Sequence, residues 1–469
     1  MEFDFKTEIE VNKENPFEND ALERKSPIEI LSALIEHTNK EMVISVDSEW
    51  GTGKTTFIKM WKQYLENLGY ETLYFNAWES DFVEDPFIAF VNEFEVILKE
   101  HPKLDKFVQV SKNVLKCVVP GVIKVATAGA LDIDKIDFGA ETEKTIISYS
   151  EKLADDQIKR YRNTKNAMKE FKKVLLEFIE NKVNVTGKPI IFFIDELDRC
   201  RPNFSIQLLE KLKHLFNIKG LIFVLAIDKK ELGNSIKAIY GHDMNVNGYL
   251  ARFIDVEYTL PEPKPELYAD FMYKRLELED YYLKRVVDRD VHYNKTILSE
   301  LIRALRLTLR IQEKLFFRLV MVLNTTPNNY HLYEPLLTIL LCLKSADTDL
   351  YYDTCRNKIS YDNFKERLSK YDQLKEYFKN SNKYGPSVEG ALMWIFNPIS
   401  EISDIGKKLE KYNEINGNIN SEQRNEQQYL DYLLNVYNKF SGYDLSPQGV
   451  VSYLFKKIEL CDSFKSNNS

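Results

Sequence analysis

Val43-Ile-Ser-Val-Asp-Ser-Glu-Trp-Gly-Thr-Gly-Lys-Thr-Thr-Phe-Ile58 changes character twice within a short span. The β-branched apolar run from Met42 to Val46 reads as a buried strand. A small polar loop follows, and then Phe57, Ile58, Trp61, Leu65 and Leu68 recur on one helical face. Strand, glycine loop and helix together make the geometry of a phosphate-binding loop, in which backbone N–H groups and a helix N-terminus converge on an anion. Gly51 and Gly53 supply backbone angles and a close approach that a Cβ would block. Lys54 is placed to neutralise β- and γ-phosphates, and the Thr55 hydroxyl to sit on Mg²⁺. The pattern G-x-x-x-x-G-K-S/T is met with one departure: Ser48 stands at the first glycine. Ser48, Glu49, Trp50, Gly51, Thr52, Gly53, Lys54, Thr55 and Thr56 are therefore the candidate nucleotide contacts. The plainer alternative is a strand-to-helix loop that happens to contain glycine and lysine.

The chain has 469 residues, enough for two or three domains. A hydrophobic fraction of 44% supplies packed cores, and a net charge of −8 advertises no global basic field for nucleic acid, although a local basic groove is compatible with it. Cys117, Cys200, Cys342, Cys355 and Cys461 are scattered, with no C-x-x-C pair, and the histidines show no metal spacing; these residues fit a reducing, cytoplasmic setting. The N-terminus has no apolar signal core. The nearest approach to a membrane span, Val114 to Leu131, is interrupted by Lys116, Lys124 and Pro120-Gly121, and reads as a buried or interfacial helical hairpin.

Taken in order, Ser26-Pro27-Ile28-Glu29 predicts a helix start with Ser26 as N-cap and Glu29 closing a capping box. A second strand, Thr72 to Asn76, leads into Ala77-Trp78-Glu79 and a helical region from Pro86 to Leu98. Residues 99–150 read as irregular, and Asp155 to Asn181 as a long insertion helix. Pro189 to Ile194 is a continuous apolar strand, buried on both faces. It ends in Asp195-Glu196-Leu197-Asp198-Arg199-Cys200, where an open α/β sheet places its ligand chemistry. Asp195 is the candidate Mg²⁺ carboxylate, acting through water, and Glu196 the candidate base for an attacking water. Because the two are adjacent at a strand end, their side chains are expected to point to opposite sides of the local backbone, one serving the metal and the other the attacking water. The alternative is an ordinary acidic strand end with ion pairing among Asp198, Arg199 and Arg201. A fourth strand, Leu221 to Ile227, ends at Asp228, which either senses the γ-phosphate or caps the next helix. A fifth runs from Ile254 to Leu260. Strands joined by helical crossovers predict a parallel sheet.

Beyond Pro265 the pattern is helical: Tyr268 to Val287, Leu298 to Leu323, Pro335 to Ser345, Tyr361 to Phe378, Gly390 to Phe396, Gln428 to Phe440 and Pro447 to Leu460, with Asn413 to Gln428 a loose linker. The expected organisation is a core over 1–264 with a helical insertion at about 99–182, a helical lid over 265–345, and a helical C-terminal domain over 346–469.

Four stretches resemble the KAP family of P-loop NTPases: Asn15-Pro16-Phe17 with Asp20-Ala-Leu22-Glu-Arg24; Glu49 to Thr55; Phe75-Asn76-Ala77-Trp78-Glu79; and Asp195 to Cys200. Tyr249-Leu250 and Leu307-Thr308-Leu309-Arg310 add to them. The resemblance spans roughly residues 15–345. It implies an additional-strand α/β NTPase with sheet order 5-1-4-3-2 and a helical lid, binding ATP and Mg²⁺. It would set Asp228 near the γ-phosphate, Arg24 among the nucleotide contacts, Arg252 as an arginine finger acting on a neighbouring subunit, and Arg310 as a lid arginine, the alternative for Arg310 being a solvated helix face shared with Arg303, Arg306 and Arg318. Trp78 is expected to pack beside the pocket. The implied activity is ATP hydrolysis driving a conformational or assembly switch, as a homo-oligomer or with a separate effector protein. Bacterial relatives without a membrane pair are associated with phage exclusion. The alternatives are a membrane-associated scaffold and a P-loop kinase; Glu196 following Asp195 favours water over another acceptor.

Overall fold

A computed structural model describes residues 10–38, 40–83, 85–98, 104–118, 142–288, 291–379, 384–414, 420–442 and 446–463. The chain divides into two compact units, one ending at Pro261 and the other beginning at Glu262.

The first unit is built on five parallel strands: β1 (Met42–Asp47), β2 (Thr72–Asn76), β3 (Ile190–Asp195), β4 (Leu221–Ile227) and β5 (Val256–Thr259). Their order is β2-β3-β4-β1-β5, the predicted 5-1-4-3-2 read from the other edge. Every residue of β3 and β4 is buried, as strands covered on both faces require. Alternation sends neighbouring side chains to opposite layers. Phe192 enters an aromatic layer with Phe75, Phe90, Phe94 and Phe223, while Phe193 packs edge-on against Trp61 at 5.5 Å on the other face. The Trp61 indole N–H is satisfied by Ser32 Oγ at 2.9 Å. Because the strands are parallel, β1, β3 and β4 deliver Asp47, Asp195 and Asp228 to the same edge of the sheet.

Several local expectations are corrected. The first helix spans Lys25–Glu36, and no side chain caps it at its N-cap residue, Arg24. Asp20 takes the role assigned to Ser26: its carboxylate oxygens accept from the Arg24 and Lys25 amides, both at 2.9 Å. Residues 99–150 are not uniformly irregular, because a helix runs from Leu104 to Val118 and another from Thr142 to Thr186. Phe107, Val110, Ser111 and Val114 face inward, a helical period that interspersed lysines obscure. Most of the Val114–Leu131 hairpin, residues 119–131, lies outside the described residues. Among the described residues no helix is long and apolar enough to cross a membrane.

In the second unit three predicted helices are each two. Tyr268–Val287 divides into Pro265–Arg275 and Leu278–Leu283, with Glu277 at φ 51°. Leu298–Leu323 divides into Val291–Ala304 and Leu309–Asn324, with Arg306 at φ 51°. Tyr361–Phe378 divides into Tyr361–Leu368 and Asp372–Lys379. The Asn413–Gln428 linker is shorter than expected. Asn420 and Gln423 form a capping box and start the helix Ser421–Ser441. Helices Thr348–Cys355 and Ile399–Glu414 fill stretches given no prediction, and Glu334–Ala346, Tyr384–Phe396 and Pro447–Ser463 cover the rest.

Candidate nucleotide site

β1 hands its backbone to the loop without a break in pairing, since the Ser48 amide still donates to the Ile227 carbonyl at 3.2 Å. Ser48 Oγ lies 2.6 Å from Thr52 Oγ1, and the Thr52 hydroxyl donates to the Glu49 carbonyl at 2.8 Å. The serine in place of glycine thus ties one end of the loop to the other. Gly51 (φ 79°) and Gly53 (φ 92°) take the left-handed angles that this curvature needs. The helix Lys54–Asn67 then begins with no side-chain cap, leaving its first amides available to an anion, with Thr55 and Thr56 half-buried in its first turn.

Lys54 is the point of convergence. It is 9% exposed, and its ammonium donates to the Ser48 carbonyl and, at 3.2 Å, to that of Glu49. Burial lowers its pKa, while Asp198, Asp228, Asp195 and Asp47 oppose that shift, so a cation on the loop lies within the field of carboxylates from three strand ends.

At the end of β3, Asp195 is 1% exposed. Tyr74 OH donates to its Oδ2 at 3.0 Å and the Glu196 amide to its Oδ1 at 2.8 Å. Burial and Asp195 together push the Tyr74 phenol up, keeping it a donor. Glu196 is not extended: at φ 59° and ψ 26° it sits in the left-handed region. The strand-alternation argument for separating its carboxylate from that of Asp195 therefore fails. Such an angle at a non-glycine residue is strained and needs its surroundings to hold it. Burial raises the Glu196 pKa, Arg199 lowers it, Asp195 and Asp198 raise it, and a hydrogen bond from Asn76 lowers it.

Arg199 pairs with Glu196 at 3.0 Å. Its guanidinium also lies 5.9 Å from the Trp50 ring centroid and 5.7 Å from that of Trp78. Trp78 is 53% exposed, so it is not the buried packing residue expected; it flanks a cation. The anticipated ion pairing among Asp198, Arg199 and Arg201 does not form. Arg201 binds Asp81 at 2.7 Å, and Asp198 Oδ2 accepts the Trp50 indole N–H. Burial raises the Asp198 pKa against Trp50 and Lys54, and its Oδ1 has no hydrogen-bond partner.

Asp228 caps the helix Lys229–Tyr240, accepting from the Lys230 amide at 3.1 Å and the Glu231 amide at 3.2 Å, while also lying within the field of Lys54. Arg24 is 5% exposed. Its Nη2 donates to the Pro261 carbonyl at 2.9 Å, and its Nε has no partner. Arg252 is exposed on the turn after the helix Val246–Leu250. Arg310 is exposed in the first turn of Leu309–Asn324, in the second unit, where it acts on the Glu313 carboxyl. The structure therefore joins the loop, Asp195, Glu196 and Asp228, and does not bring Arg252 into that group. Sequence reasoning gave no site role to Tyr74, to Asn76 beyond its place in a family stretch, or to Asp47, and gave Arg199 only ion pairing with Asp198 and Arg201. The sheet order held the signal for the first two, since it sets β2 beside β3 with Asn76 opposite Asp195.

Among the described residues no cluster of three or more His, Cys, Asp or Glu is placed to hold a metal unaided. Mg²⁺ needs none, because it binds one or two protein oxygens and completes its shell with phosphate and water. Thr55, beside the uncapped helix start, and Asp195, whose oxygens each retain a lone pair, fit that requirement.

The family model described as the KAP family P-loop domain covers residues 24–320. An uncharacterized protein of Methanocaldococcus jannaschii is 28% identical over 169 residues, which are 33% of this chain and 79% of that protein. Among solved structures, C. elegans PCH-2 is 13% identical, covering 70% of this chain and 69% of that one at a TM-score of 0.31. The Aeropyrum pernix ORC2 protein is 13% identical, covering 94% and 86% at 0.29. Likenesses this shallow say nothing about the chemistry of this chain.

Proposed function

The chain belongs to the KAP family of P-loop NTPases, and from that premise we propose that it hydrolyses ATP with Mg²⁺ to drive a conformational or assembly switch. The observation that carries this reading is the burial of Lys54 at an uncapped helix N-terminus, within the field of Asp195, Asp198, Asp228 and Asp47. Its ammonium neutralises the β- and γ-phosphates, and the loop amides and first-turn hydroxyls orient them. Mg²⁺, held by Thr55 and through water by Asp195, would supply charge neutralisation across the same oxygens. Tyr74 fixes the Asp195 carboxylate by hydrogen bonding to it. Glu196 takes the proton of the attacking water; burial makes its carboxylate a stronger base than an exposed one. Asp228 orients the polar end of β4 next to the γ-phosphate, and the orphaned Nε of Arg24 is a donor free for the nucleotide. Arg252, exposed, acts on a neighbouring subunit, and residues 265–345 act as the lid.

Calorimetry on Lys54→Ala tests the assignment. Tight Mg·ATP binding should be lost, and Thr55→Ala should weaken the Mg²⁺ dependence; unchanged ATP affinity in Lys54→Ala overturns it. The biological setting we propose is antiphage defence, supported by the resemblance to phage-exclusion relatives. Phage challenge of cells carrying the gene and its neighbours, with and without Lys54→Ala, tests it: equal plating on both strains removes defence as the role.

A further inference from the structure

Within the second unit, helices Tyr361–Leu368, Asp372–Lys379, Tyr384–Phe396 and Ser421–Ser441 surround a cavity of ≈ 590 Å³. Packed interiors seldom leave voids larger than a water molecule. A space of this size is within the range of small-molecule pockets. One part of its wall is apolar, formed by Phe364, Leu368, Leu374, Phe378 and Leu392.

Polar and charged residues make up the other side of the lining, and they are unequal. Glu389 lines the cavity and accepts a hydrogen bond from Tyr429 OH. Lys365, the nearest cation, is already engaged: its ammonium lies 2.8 Å from Glu401 and 4.4 Å from the Tyr361 ring centroid. Lys375 pairs with Asp372 at 3.7 Å, and of the mouth carboxylates Glu426 pairs with Lys408. The lining carboxylates Glu389 and Glu422 thus outnumber the uncommitted cations. Burial pushes the Glu389 carboxyl up to about 7, with Glu401 adding to the shift and Lys365 opposing it. A cation at this oxygen would reverse the penalty by favouring the carboxylate.

We propose that this cavity binds a small organic cation, with an amine or guanidinium head on Glu389 and an apolar body among Phe364, Leu368, Leu374, Phe378 and Leu392. The site is independent of the nucleotide chemistry and gives the second unit a ligand of its own.

The test is calorimetric titration of the full chain with a matched trio: 4-phenylbutylamine, 4-phenylbutanol and 4-phenylbutanoate. The amine should saturate at one per chain and bind at least about tenfold tighter than the alcohol, with the acid weakest, as a charge-assisted hydrogen bond to a partly buried carboxylate predicts. Glu389→Gln keeps the size and the Tyr429 contact; it should lower amine affinity to that of the alcohol and leave the alcohol unchanged. Asn425→Trp, on an exposed helical position at the mouth, should block all three without disturbing the fold, checked by circular dichroism. Absence of saturable binding by any probe, equal affinities for amine and alcohol in the unsubstituted protein, or an undiminished amine preference in Glu389→Gln each overturns the proposal. So does full amine binding in a folded Asn425→Trp, which would put the probe elsewhere.

Discussion

At Glu196 two influences compete. Burial, Asp195 and Asp198 push the carboxyl toward its protonated form, and Arg199 at 3.0 Å pulls it back. A general base serves best with its pKa near the working pH, so if Glu196 is the proposed base, its pairing with Arg199 would set where the reaction runs. The sign follows directly. Removing Arg199 leaves the raising influences opposed only by the Asn76 hydrogen bond, so the Glu196 pKa climbs and the acidic limb of kcat moves to higher pH. Arg199→Ala should show that displacement in phosphate release measured across the neutral range, and Arg199→Lys, which keeps the charge, should restore most of it. A limb that stays put in Arg199→Ala would detach the arginine from the base. Glu196→Gln should retain Mg·ATP binding while single-turnover hydrolysis falls by roughly two orders of magnitude or more. Near-normal turnover would move the base to Asp198, the buried carboxylate with an unpartnered oxygen. The loop lysine and the acidic strand end were legible because their chemistry is local to one stretch of chain. Arg199 was not: its partners include Trp50 and Trp78, and only the assembled sheet brings those two indoles to the same guanidinium.

At the scale of elements, strands were legible and helix breaks were not. β3 and β4 are apolar throughout because both faces are covered, a pattern that the residues carry themselves. The breaks at Glu277 and Arg306 rest on left-handed angles at residues with no intrinsic taste for them, imposed by packing. Glycines in the second unit offer a cleaner case. Gly390 lies in Tyr384–Phe396, where an added Cβ would stand 2.7 Å from the Leu433 carbonyl oxygen. Gly406, in Ile399–Glu414, has nothing within 4 Å. Alanine in a helix interior gains about 1 kcal/mol over glycine, whereas overpacking costs about 1–3 kcal/mol. The clash wins at one site and is absent at the other. Thermal denaturation should therefore show Gly390→Ala less stable and Gly406→Ala slightly more stable than the parent protein. Stabilisation by both would mean that the helices Tyr384–Phe396 and Ser421–Ser441 separate at little cost.

At the scale of the whole molecule, the family match crosses the division at Pro261 and ends inside Leu309–Asn324. The shared pattern thus continues past the sheet as far as the helix that carries Arg310. Amphipathic periodicity reveals which face of such a helix is buried but not what an exposed arginine meets, so the role of Arg310 was not legible from pattern alone. Two readings make different predictions. If Arg310 acts only within its own helix, its neighbour is Glu313, one turn on, whose carboxyl burial raises and Tyr268, Arg275 and then Arg310 oppose. If it is the lid arginine, nucleotide should order its helix. Hydrogen exchange over 309–324 should then slow on adding Mg·ATP, and Arg310→Ala should abolish the slowing even where ATP still binds. Glu313→Gln should leave it in place, because the nucleotide, not the carboxylate, is the partner that matters. Exchange indifferent to ATP, or equally affected by the two substitutions, would return Arg310 to its helix surface and leave the second unit coupled to nucleotide through some other residue, if at all.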